Sequence, residues 1–139
     1  MSHYRFSISW ARIFPDGTTA SYNSDGMEYY KNLTAELKAN NITPMATLYH
    51  WDLPQMLEDN GGWLDDSIVD KFNDYADKVF EQLGDNVSSA NAILLLIRTT
   101  SCRCGYIPKC YAFQNVKKII SRTNSLAHKK HAHFLVFPL

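Results

Sequence analysis

Between Arg5 and Leu83, two short strand-like runs alternate with helical stripes, and few folds accept that order. Arg5-Phe6-Ser7-Ile8-Ser9-Trp10 has period two, with Phe6, Ile8 and Trp10 on one face and Arg5, Ser7 and Ser9 on the other. Phe14-Pro15-Asp16-Gly17 breaks the run with turn chemistry. Ser24-Asp25-Gly26-Met27-Glu28 then reads as a helix start, Asp25 and Glu28 standing at capping-box spacing. Tyr30, Leu33 and Leu37 carry the helix on to a stop at Asn40-Asn41. A second apolar run, Met45 to Tyr49, ends at His50. Asp52-Leu53-Pro54 opens a short helix that stops at Gly61-Gly62.

The clearest helix follows Asp65-Asp66. Its apolar positions are Ile68, Phe72, Tyr75, Ala76, Val79, Phe80 and Leu83, a single stripe at helical spacing, with Gly84 as the C-cap. Strand, helix, strand, helix implies right-handed βαβ units and a parallel sheet. Such strands are usually apolar on both faces. A first strand with Arg5, Ser7 and Ser9 on one side therefore lines something polar, as the interior of a barrel near its active end would be.

Composition divides the chain. All 14 Asp and Glu lie at or before Asp85, against six Lys and Arg there, a net −8; the remaining eight Lys and Arg follow it without a single acid, a net +8. Cys102, Cys104, Cys110 and three of the five histidines also lie in the second part. The whole has 139 residues, 45% hydrophobic and 13% aromatic, as in a globular domain. A full (β/α)8 barrel needs about 250 residues. The longest apolar run, 92–97, is too short for a membrane span. No basic-then-apolar leader opens the chain, so the compartment is not assigned.

Two motifs carry a family resemblance. Tyr4-Arg5-Phe6-Ser7-Ile8-Ser9-Trp10-Ala11-Arg12-Ile13-Phe14-Pro15 resembles the second-strand motif of family-1 glycoside hydrolases, the β-glucosidase, lactase and myrosinase group. Leu48-Tyr49-His50-Trp51-Asp52-Leu53-Pro54 resembles the third-strand motif. Asn60-Gly61-Gly62-Trp63, the stripe from Phe72 to Phe80, and Leu83 to Val87 follow in the family's order, about 84 residues in all. The resemblance implies an α/β fold: a partial (β/α)8 TIM barrel, its second and third strand–helix units, over residues 1–87. Residues 88–139 are expected to be an unrelated, poorly ordered basic tail.

The same resemblance implies hydrolysis of β-glycosides with retention, by two carboxyl groups about 5–5.5 Å apart. In the family the acid/base Glu follows the fourth strand in Asn-Glu-Pro, and the nucleophile Glu follows the seventh. Neither motif occurs here, and no acid follows Asp85. The chain is accordingly expected to be an inactive piece of such an enzyme, with no cofactor. By the resemblance, His50 hydrogen-bonds a sugar hydroxyl, Trp51 lines the sugar pocket, and Arg5 supports the nucleophile. Arg5, without that partner, is expected to be exposed or unpaired.

Competing readings are weaker. Asp52 before Leu53-Pro54 suits a helix cap better than catalysis. Asp65, Asp66, Asp70, Asp74, Asp77 and Glu81 read as the solvated face of the last helix. Cys102, Cys104, Cys110, His128, His131 and His133 fit no usual zinc spacing. Asn32-Leu33-Thr34, Asn41-Ile42-Thr43 and Asn86-Val87-Ser88 match the glycosylation sequon and suit an exported or lysosomal parent. A different class of function, a binding protein using Lys117-Lys118 and Lys129-Lys130 on nucleic acid or membrane, has no recognised module behind it. The partner expected instead is a β-glycoside or oligosaccharide.

Overall fold

The computed structural model describes residues 1–84, 87, 89–91 and 134–135, with side chains described for 1–84 and 87. Strand β1 (His3–Ser7) leads through the short helix α1 (Trp10–Ile13) to helix α2 (Ser24–Ala39). Strand β2 (Thr43–Thr47) leads through α3 (Gln55–Asp59) to α4 (Ile68–Leu83). Two further strands, β3 (Ser89–Asn91) and β4 (Phe134–Leu135), complete a sheet of order β1-β2-β3-β4, parallel throughout. The fold is α/β, and the expected strand–helix alternation is present. The sheet also runs past the boundary drawn at Val87, because β3 pairs Met45, Ala46 and Thr47 of β2 with Ser89, Ala90 and Asn91.

Three local readings are corrected. The alternation through Trp10 overruns the strand: β1 stops at Ser7, and Trp10 begins α1. Period two could not show this, since Ile8 and Trp10 are both fully buried on either side of the junction. The cap of α2 is Asn23, whose side chain accepts the Gly26 N–H at 3.2 Å, not the Asp25/Glu28 pair. Asp52 does not cap α3, which starts after Pro54 without a side-chain cap. Its Oδ1 accepts the His50 N–H instead, at 3.1 Å.

The end of α2 satisfies its carbonyls in a Schellman turn. Asn41 takes φ 55°, its N–H donates to the Lys38 carbonyl, and the Ile42 N–H reaches back to Leu37. Asn is among the residues that tolerate this conformation, and the turn feeds the chain directly into β2. The α4 stripe is buried as expected, with Val69 added. Gly84 does cap α4, but in ordinary right-handed geometry (φ −55°). The core joins Ile8, Trp10, Ile13 and Phe14 to Met27, Leu48 and the α4 stripe. Its centre is aromatic: Trp10 stacks on Tyr75 at 5.0 Å between centroids and meets Phe72 edge-on at 5.5 Å.

The 92–97 segment, the Cys/His set, the lysine pairs and the Asn86 sequon lie outside the described residues. Among the described residues no helix is long and apolar enough to cross a membrane, and no three metal-binding side chains cluster.

Candidate functional site

Parallel pairing places the C-terminal ends of β1 and β2 side by side, Ser7 opposite Thr47. The residues that follow are brought together there. Ser7 Oγ lies 3.4 Å from His50 Nδ1, although the two are 43 residues apart in sequence. Which of them donates depends on the imidazole tautomer. Arg5 shares the Ser7 face two residues, about 6.6 Å, further down the strand. It is exposed and makes no ion pair among the described residues.

Trp51 is the unusual residue of this loop. Its φ is 69°, a left-handed value that a bulky side chain rarely adopts, and it is 57% exposed. The strain is held in place from both sides. Asp52, just after it, accepts the N–H of His50, just before it; further on, Pro54 is buried and fixes the chain's entry into α3. The outcome is an indole turned toward solvent at a strand end, beside an exposed imidazole.

Behind Trp51 opens a cleft of about 340 Å³ lined by Tyr49, Trp51, Leu53, Gln55, Glu58 and Trp63. The Trp63 indole N–H donates to the Tyr49 hydroxyl at 3.3 Å, and the two rings meet at 4.9 Å between centroids. Burial pushes the Tyr49 phenol above its ordinary value; the Trp63 hydrogen bond opposes that rise, and the charges of Asp52 and Glu58 add to it. The phenol therefore keeps its proton at neutral pH and remains a donor. Aromatic faces with a few polar groups are what a sugar ring needs: apolar C–H surface against rings, hydroxyls against side chains.

His50 and Trp51 thus come together at the strand end, with Arg5 on the same sheet face as Ser7. Ser7, Tyr49, Gln55 and Glu58 were not singled out by sequence. Ser7 was legible as a polar-face residue, but nothing local showed its 43-residue reach. Gln55 and Glu58 carry no signal beyond the helix they sit on.

The chain matches the family model Glycosyl hydrolase family 1 over residues 1–133. It belongs to that family. The match passes the Val87 boundary, whereas the related sequences align over shorter spans. Human lactase/phlorizin hydrolase is 56% identical over 87 residues, 63% of this chain and 4% of that protein. Human cytosolic beta-glucosidase is 51% identical over 87 residues, 63% of this chain and 19% of that protein. The structure superposes on a beta-glucosidase from Thermotoga maritima, in complex with deoxynojirimycin, with a TM-score of 0.84 and 30% identity. That superposition covers 98% of this chain and 33% of the other. Its structural neighbours are family-1 (β/α)8-barrel glycosidases, so this family-1 chain spans a third or less of each relative named here.

Proposed function

We propose that the chain carries the sugar-binding wall of a retaining β-glycosidase of the β-glucosidase type, and that it does not itself cleave. Residues 1–87 act as the second and third strand–helix units of the barrel, and 88–139 lie outside those units. His50 takes a sugar hydroxyl through the ring nitrogen that does not face Ser7. Trp51 offers its indole to the apolar face of the pyranose. Arg5, lower on the same sheet face, serves to keep a nucleophilic carboxylate ionised when one stands opposite it. The observation that carries this reading is the strand-end pair itself: an exposed imidazole and an exposed indole, the latter held in a strained backbone.

Cleavage with retention needs two carboxyl groups about 5–5.5 Å apart. Asp52, the acid nearest to His50 in sequence, spends one oxygen on the His50 N–H, and no acid follows Asp85. The reading is tested by incubating the 139-residue chain with an aryl β-glucoside and by following tryptophan fluorescence during titration with a non-hydrolysable β-glucoside. No turnover is expected, with a saturable fluorescence change that Trp51→Ala abolishes and His50→Ala weakens. Turnover that disappears in His50→Ala would overturn the non-cleaving part. A titration unaffected by either substitution would overturn the binding part.

A further inference from the structure

The β1–β2 ladder ends with the Ile8 N–H donating to the Thr47 carbonyl at 2.8 Å. Beyond it the two chains part, one into α1 and the other into the His50 loop. Ile8 and Leu48 are both fully buried here, and beyond the end of the β1–β2 ladder their carbonyls meet no strand N–H among the described residues. A buried carbonyl without a donor loses its water and gains nothing in exchange. Tyr75, in the middle of α4, reaches both. Its hydroxyl donates to the Leu48 carbonyl at 2.8 Å and lies 3.3 Å from that of Ile8. With one proton to give, Leu48 is the principal acceptor and Ile8 the shared one.

Packing explains the ring of Tyr75 but not its oxygen. The ring is fixed by Trp10 on its face and by Phe14 and Phe72 at its edges. A phenylalanine would fill the same space. A phenol buried to 0% exposure is tolerated only where its oxygen has a partner. Here the partners are the residue after Ser7 and the residue two before His50. From α2, the Tyr30 hydroxyl accepts the Ser9 N–H at 2.8 Å, so the same junction is held from a second helix.

We infer that Tyr75 is a positioning residue: its hydroxyl sets the separation of the β1 and β2 ends and thereby holds Ser7 within reach of His50 Nδ1. The value of that alignment rests on the reading of His50 as a sugar contact, but the alignment itself does not. The experiment is 15N NMR of the His50 ring in the full chain, comparing Tyr75→Phe with Val79→Ala, a core change one turn further along α4. Tyr75→Phe is expected to shift the His50 ring nitrogens and the balance of its tautomers, while Val79→Ala leaves both in place despite its own loss of stability. Unchanged His50 signals in Tyr75→Phe, or equal shifts in both variants, would overturn the inference. Should Tyr75→Phe not fold, the Tyr75 hydroxyl proton of the wild-type chain decides it: a resolved hydroxyl signal protected from exchange with water sustains the clamp, and a hydroxyl that exchanges freely defeats it. Sugar titration plays no part in these readouts, so a failure to bind glucoside would leave the inference standing.

Discussion

At Trp51 the backbone and the side chain pull against each other. A non-glycine residue in this region costs on the order of 1–3 kcal/mol, and an indole 57% exposed recovers little of it by burial. Such a residue persists where its surroundings over-determine it, here the Asp52 contact and the buried Pro54. Trp51→Gly should therefore leave the unfolding free energy within about 1 kcal/mol of the parent, the relieved strain offsetting glycine's added chain entropy, while removing the sugar response. Urea unfolding monitored by circular dichroism checks the first part; a loss above about 3 kcal/mol would show the indole to be structural. Sequence gave the identity of this residue's neighbours but not its strain. Asp52 shows why: an acid before Leu-Pro is a common cap pattern, yet its carboxylate turned back to a strand-end N–H. Asn23 likewise took the cap from Asp25 by standing two residues earlier. Side chains this short choose among several backbone donors within three residues, and sequence does not rank them.

Helix α4 was legible in all its buried positions but Val69, because a stripe of seven apolar positions over four turns leaves one rotational setting. Its polar face carries a cost that the stripe hides. Desolvation, then the neighbouring Asp70 and Asp77 charges, raise the Asp74 carboxyl above its ordinary value. A carboxylate with a raised folded value favours the fold only while protonated. Its destabilising effect is absent below the unfolded value of 3.8 and grows as pH rises through the higher folded one. Asp74→Asn should thus stabilise the chain at pH 7 by about 0.2–0.5 kcal/mol, at the small end because water screens an exposed carboxylate. Thermal melts at pH 7 and pH 3 check this: the gain should vanish in acid, and a gain that persists there would assign it to helix propensity instead. Phe72, fully buried against Trp10 and Tyr75, sits on the opposite face; Phe72→Ala should cost about 3–5 kcal/mol. The strand ends were less legible than the helix, for β1 is five residues long and β3 three, too few to fix a period or a boundary.

For the molecule as a whole, the charge split at Asp85 and the pattern of the sheet point in different directions. Composition marks a break, yet β3 and β4 add to the sheet beyond it, and the family match runs to residue 133. Composition reports average solvation, whereas backbone pairing depends on geometry that a three-residue strand does not encode in its side chains. The sheet's order places β1 at its edge, paired with β2 on one side alone among the described residues. An unprotected edge offers a row of backbone donors and acceptors to any strand that meets it. Tyr4 on this edge is 41% exposed and stacks on Phe6, so one face of the edge is apolar, while Arg5 and Ser7 make the other polar. Edge-to-edge association of the purified chain should follow, with the weight-average sedimentation coefficient rising with concentration. Tyr4→Lys places a charge where two edges would meet and should shift that rise to markedly higher concentration without lowering the helix signal in circular dichroism. A concentration-independent sedimentation coefficient in the parent chain would show the β1 edge to be protected, and association unaltered in Tyr4→Lys would place the contact on another surface.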